Sequence, residues 1–420
     1  MTNQEKYDLR LKRFNDAVAL KEPDMVPVVP WVDGLPYVLY PETGASHKSA
    51  LYEFSKVIDA HVRYHKEFEP DANTAACILM SGKAGEVLRP ASIDWPGRPG
   101  TPLPDSSIYQ ILETEYMFSD EYDELVDDFT GFVLHKYLPR TYKGLEGLAG
   151  FRIKASAGMS VMPLMPVAEP EVQEALRNLV KFGEEQNKVN EAFFELSGTL
   201  GDLGFPPWYT GVEGAPFDIL SDYYRGTLGT LFDQAERPEK IKRACDFFAD
   251  LVISNLGYMN NPALPVKRVF FPLHKGMDKL MSDEQYRELY WQPYQKILRA
   301  LIEMGVTPLI YTEGPYNTRI QYIREQLMEF PPGSTIIHFE EGDFAEIKKA
   351  FQGIACVSGG LPLYLLEYGT KAEVTDHIKY LIDNCAAGGG YLMEAGACIE
   401  NAPRENMEAV FETARTYGKK

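Results

Sequence analysis

The sequence predicts an α/β protein built on a parallel sheet, and one β/α barrel spanning residues 1–420 fits its length. Two domains is the alternative that length alone leaves open. Three observations favour the barrel. The last third repeats one unit, a short β-rich run, a polar or glycine-bearing loop and an amphipathic helix. Helices of this length between such runs require parallel strands. No low-complexity stretch or linker divides the chain. In a parallel barrel the C-terminal strand ends converge on one mouth. Residues distant in sequence then share a site, and here they include Glu313, His338, Glu340, Asp343, Glu394 and Cys398.

Residues 7–19 read as a helix, with Leu11, Phe14 and Val18 at helical spacing. Residues 25–31 (MVPVVPW) form a short β-like run, and Asp33-Gly34 marks the loop after it. A helix over 51–68 precedes a second strand over 73–80, which ends before Ser81-Gly82. Residues 90–104, rich in Pro and Gly, predict a loop serving as a lid or rim. Another helix starts after Ser119, and the small apolar residues 156–165 resemble a buried stretch beside a ligand. Residues 201–214 (GDLGFPPWYTGVEG) read as a long loop, either functional or a packed insertion. A strand over 269–273 ends at His274. Ser282 and Gln285 then form a capping box, and Gly305 closes the helix they open. Strands over 306–312, 335–337, 356–358 and 391–393 follow, with a second capping box at Thr370 and Glu373. Met407, Val410, Phe411 and Ala414 give the last helix its apolar stripe.

Composition narrows the function. A net charge of −19 and a pI near 4.9 argue against nucleic acid and anionic membranes, which need clustered Lys and Arg. Five scattered Cys without a CxxC predict a reducing cytoplasm, not a disulfide scaffold. The N-terminal stretch has no apolar core of a signal peptide, and no apolar run reaches membrane-spanning length. Twenty-five Tyr suit a pocket for a flat or apolar ligand.

His274, at a strand end, suits a general acid or a hydrogen-bond donor to substrate, and Glu313 suits an acid or a ligand. A backbone-bonded loop His and a salt-bridged loop Glu are the plain alternatives. Trp31, Tyr37, Trp208 and Tyr209 are the candidates for a flat substrate's pocket, with core or rim packing as the alternative for each. Gly359-Gly360 and 388–390 lack phosphate-loop spacing and read as tight turns. The remaining His, His47 among them, are assigned no chemistry.

Residues 21–30 (KEPDMVPVVP), 273–298 (LHKGMDKLMSDEQYRELYWQPYQKIL), 355–374 (ACVSGGLPLYLLEYGTKAEV) and 388–418 resemble the uroporphyrinogen decarboxylase superfamily. The likeness covers most of the chain and is strongest after Lys267. It implies one (β/α)8 barrel with an N-terminal helical extension and loop insertions, commonly a homodimer. The decarboxylase proper has an Arg-bearing stretch after its first strand, which grips the substrate's carboxylates. Here that place reads Trp31-Val32-Asp33-Gly34-Leu35-Pro36-Tyr37, which cannot neutralise a polycarboxylate. The superfamily's cobalamin-dependent methyltransferases bind zinc through His-x-Cys and a Cys after the last strand. His338-Phe339-Glu340 and Cys398 resemble that pattern, with Glu in place of Cys. The resemblance thus implies zinc on His338, Glu340 and Cys398, with a fourth position open.

The expected function is methyl transfer between a small methylated donor, such as a methoxylated aromatic, and a corrinoid. The chain has no DxHxxG signature, so the corrinoid comes on a partner protein or free. The alternatives are a decarboxylase or other lyase acting on a small acid, and a barrel that only binds a ligand.

Overall fold

The computed structural model describes residues 1–75, 80–153 and 161–419. Two short strands, β1 (Ile93–Asp94) and β2 (Gln110–Ile111), form an outlying antiparallel ribbon. Six more form a parallel sheet in sequential order: β3 (Gly211–Val212), β4 (Arg268–Leu273), β5 (Thr307–Thr312), β6 (Ile336–Phe339), β7 (Cys356–Leu361) and β8 (Tyr391–Ala395). Bridges from Val28 to Met393 and from Val32 to Ile399 join β8 to the segment after the first helix. That segment bridges to Ala75 through Val32, and Asn73 bridges to Pro207, just ahead of β3. The ring therefore closes as a (β/α)8 barrel, as expected.

Its strands are buried on both faces, which is why they read as apolar runs and not as alternating ones. Trp208, Phe270, Leu309, Ile336 and Leu392 fill the interior. The helix Asn3–Val18, opened by a Thr2–Glu5 capping box, sits under the barrel floor and adds Phe14 and Ala17 to the same cluster. The Arg268 guanidinium lies 3.8 Å from the Phe14 ring centroid and donates to the Trp208 carbonyl at 2.7 Å. Burial pulls its pKa down to about 9.

Both predicted capping boxes are present, and Gly305 closes its helix at φ 70°. Three expectations change. Residues 201–214 are not one loop. The helix Pro170–Asp202 runs into them, and Pro207 and Trp208 lead into the third barrel strand. Proline is tolerated at a strand's first residue, where no ladder N–H is needed, and Pro206 instead supplies a carbonyl to Asn73 N at 2.7 Å. Gly359 and Gly360 lie within β7 and not in a turn. Of 156–165, residues 156–160 lie outside the described residues, while Leu164 and Met165 are exposed, not buried. The expected second strand is described at 73–75, and 76–79, with Cys77, lie outside the described residues. Among the described residues no helix is long and apolar enough to cross a membrane.

Candidate functional site

Three polar groupings stand at or just below the barrel mouth. The first surrounds His274, the residue after β4. Its Nδ1 lies 2.6 Å from Asp222 Oδ2, and its Nε2 lies 3.6 Å from Glu313 Oε2, just past β5. Lys275 Nζ reaches Asp222 Oδ1 at 3.0 Å. Asp218 accepts the backbone N–H of His274 at 3.0 Å and of Lys275 at 2.9 Å, and the Tyr290 hydroxyl at 2.7 Å. Both aspartates follow β3 on the turns Pro216–Ile219 and Leu220–Arg225, the latter wound as a π-helix, a form common at functional sites.

The charges follow from this packing. Burial opposes charge on His274, but the Asp222 and Glu313 contacts and the nearby Asp218 outweigh it and raise its pKa to about 10. Burial raises Asp218 to about 6. Asp222 is also buried, yet its contact with His274 and the charge of Lys275 hold it below the usual carboxylate range. At neutral pH the site thus presents an imidazolium clamped by carboxylates.

His274, Lys275 and Asp222 form the polar end of a cavity of about 840 Å³. Its body is aromatic, with Tyr109, Tyr116, Tyr142, Tyr223 and Phe182 in the wall. Ile93 and Ile111 of the β1–β2 ribbon also line it, so the Pro/Gly-rich segment does form part of a rim. The predicted pocket aromatics lie elsewhere. Trp208 is buried in the barrel interior, and Trp31 packs against it with ring centroids 6.1 Å apart. Tyr209 stacks on Phe270 at 5.2 Å, and Tyr37 donates its hydroxyl to Asp33 at 3.1 Å. Trp is favoured inside because it brings so much apolar area, and that outweighed its value as a ligand platform.

The second grouping is inside the barrel. His338, fully buried in β6, stacks on Tyr311 with centroids 3.8 Å apart. Its Nε2 lies 2.9 Å from the Gly396 carbonyl, so Nε2 carries a hydrogen. Its Nδ1 faces Glu394 Oε2 at 3.2 Å, and Ser358 donates to the same carboxylate. Burial raises the Glu394 pKa. This arrangement corrects the predicted metal set. His338 is bonded through Nε2 to the Gly396 carbonyl, its Nδ1 lies near Glu394 without making a hydrogen bond, and Glu340 accepts the Gly314 backbone N–H. Cys398 is only half-buried, and His338, Glu340 and Cys398 do not converge as a ligand group. A His and a Glu two apart on a strand do share a side, but β6 ends at Phe339, so Glu340 leaves the strand's alternation.

The third grouping went unassigned in the sequence. Asp33 after the first strand, His47 and Glu400 after β8 bring one ligand atom each within 4.8 Å of one another. His47 Nε2 is 3.0 Å from Glu400 Oε2, and Gly34 N donates to the same oxygen at 3.1 Å. Burial and the Glu400 charge push Asp33 up to about 7. Asp33, Glu400, Cys398 and Glu313 all act on Tyr109, whose pKa rises by burial and by their charge. The cavity wall and the third grouping are therefore neighbours.

The family model for uroporphyrinogen decarboxylase (URO-D) matches residues 192–417. The chain belongs to this family. No curated protein matches it. Among solved structures it is similar to a methyltransferase from Methanosarcina mazei, at 14% identity, with 99% of each chain covered and a TM-score of 0.60. At that identity the likeness establishes a shared fold. The URO-D match spans β3 to β8 and the helices between them, the part that carries Asp218, Asp222, His274, Glu313 and Glu400.

Proposed function

We propose that the chain is a methyltransferase that takes a methyl group from a small methoxylated aromatic for a corrinoid carried by a partner protein. The observation that carries this reading is the charged His274 at the polar end of an aromatic cavity. An aryl methyl ether is a poor electrophile because a phenoxide must leave. The C–O bond breaks with its electron pair on oxygen, and that oxygen then needs a proton. His274, with a pKa of about 10, matches a phenol, whose pKa is also about 10. At neutral pH His274 is thus in the protonated form that a general acid requires.

The residues have distinct roles in this step. His274 delivers the Nε2 proton, Asp222 fixes the ring from Nδ1, and Asp218 holds the backbone of residues 274 and 275. The tyrosines of the wall exclude water and hold the flat ring. The corrinoid supplies the nucleophile that accepts the methyl group. A cavity of about 840 Å³ accommodates a substituted benzene ring but not a whole corrinoid, which fits delivery at the mouth by a partner. A carboxy-lyase acting on a small acid is the second reading, since His274 and Lys275 also suit a carboxylate.

The test supplies reduced cobalamin and a panel of methoxylated benzoates, and measures the phenol released. His274→Gln should lower the rate by about 10²–10⁴ while ligand binding persists in calorimetry. Carbon dioxide release from a small acid without demethylation favours the lyase. Binding with neither reaction leaves a ligand-binding barrel.

A further inference from the structure

We propose that Asp33, His47 and Glu400 form a zinc site at the barrel mouth, beside but separate from the His274 site. The three come from different parts of the ring. Asp33 follows the first barrel segment, Glu400 follows β8, and His47 lies on the loop between the helical turns Pro41–Thr43 and Ser49–Tyr52. Backbone pairing sets their positions. Val32 bridges to Ile399, and Asp33 N donates to the Ile399 carbonyl at 3.3 Å, which brings residues 33 and 400 to one edge of the mouth.

The donor set is chemically suitable. One imidazole and two carboxylates bind zinc at about 2.0–2.2 Å, and three protein ligands leave a fourth position for water or substrate. Around tetrahedral zinc at about 2.1 Å, ligand atoms stand about 3.4 Å apart. The three atoms lie within 4.8 Å of one another and the His47–Glu400 pair stands at 3.0 Å, so shifts of at most about 1.4 Å form the site.

Two further features point the same way. Gly34 leaves the space between the ligands open. A Cβ there would collide with Glu400 Oε2 and stand 2.8 Å from His47 Nε2, so any larger residue would fill the cradle. The ligands are also held from behind, as metal ligands usually are. Tyr37 donates to Asp33 Oδ1, and its ring packs edge-on against His47 with centroids 5.4 Å apart. Nearby Tyr109 feels the charge of Asp33 and Glu400 together with that of Glu313. Among these groups, only His47 opposes the two carboxylates. Zinc would replace the proton that His47 shares with Glu400.

The test uses the full chain, stripped with a chelator and titrated with zinc sulfate. Calorimetry should give one zinc per chain. Asp33→Asn, His47→Gln and Glu400→Gln should each weaken binding at least about 10-fold. His338→Gln and Cys398→Ser should leave it within about twofold. X-ray absorption of the zinc-loaded wild type provides a readout that does not depend on the variants folding. It should show only nitrogen and oxygen neighbours near about 2.0–2.2 Å. A sulfur shell near about 2.3 Å, loss of binding in Cys398→Ser or His338→Gln, or full affinity in the Asp33, His47 and Glu400 variants overturns the proposal. Absence of zinc binding by the wild type does so as well. None of these outcomes depends on whether methyl transfer is observed.

Discussion

Replacing Asp222 with asparagine tests the charge on His274 most directly. Against the burial that opposes it, Asp222 and Glu313 raise the His274 pKa from an ordinary 6.5 to about 10. At about 1.4 kcal/mol per pH unit this is on the order of 5 kcal/mol in favour of the charged ring, net of that burial. The side chain is 36% exposed, so solvent screening cuts the part that counts toward stability to about half. Asp222 is the largest of the groups that favour the charge. Its loss should lower the His274 pKa by at least about one pH unit, or about 1.4 kcal/mol. The folded pKa lies above the unfolded one. The stabilisation is therefore complete below about pH 6.5 and is lost as pH rises toward about 10. In Asp222→Asn that loss should finish at lower pH, and methyl transfer should fail at correspondingly lower pH. The assay is an NMR titration of the imidazole ε1 proton, assigned by its disappearance in His274→Gln. A His274 pKa that stays the same or rises in Asp222→Asn refutes the clamp.

Other predictions concern the frame and the specificity. Gly359→Ala should cost about 2–3 kcal/mol in urea unfolding, because its φ is +124° and a Cβ would stand 2.5 Å from the Phe339 carbonyl and 2.6 Å from the Phe344 ring. A loss under about 0.5 kcal/mol would contradict that packing. His338→Ala should destabilise by about 2–4 kcal/mol, since Glu394 is left buried without the ring it faces. The loss should grow as pH rises through the raised pKa of that carboxyl, and a stability independent of pH would contradict the pairing. Incubation with uroporphyrinogen should release no carbon dioxide, because residues 31–37 carry Asp33 and no arginine. Turnover there would remove the case for methyl transfer.

Much of the frame was legible because β4 to β8 are short apolar runs set between capped helices, and caps are local chemistry. The third strand was hidden by Pro206, Pro207 and Gly211, residues that ordinarily mark loops. The first two barrel segments pair only through isolated bridges, and they were legible as short β-like runs over 25–31 and 73–80. In the site, His274 and Glu313 were legible as polar residues that end apolar strands. Asp218 and Asp222 were not singled out, although their spacing of four puts both on one face of a helical turn. Asp33, His47 and Glu400 could not be joined from sequence, since 366 positions separate the Gly34–Glu400 contact. The tyrosines of the cavity wall left no local signature either. Their convergence comes from the rim, the long helix and the turns after β3.

The bond between the first barrel segment and β8 has a consequence for how the chain is made. Val29 N donates to the Met393 carbonyl and Met393 N to the Pro27 carbonyl, each at 2.9 Å. During synthesis, β4 to β7 can pair with their neighbours as each emerges. The amino-terminal segment can meet Ala75 early, but its other edge must wait for the final strand. Closing so long a loop adds little equilibrium cost, because loop entropy grows only logarithmically with length. It does delay folding, because pairings this distant are slow. Ring closure and assembly of the mouth are then the same late event. A nascent chain stalled before β8 holds Asp33 and His47 without Glu400, so acquisition of the functional edge reports that the barrel has finished folding.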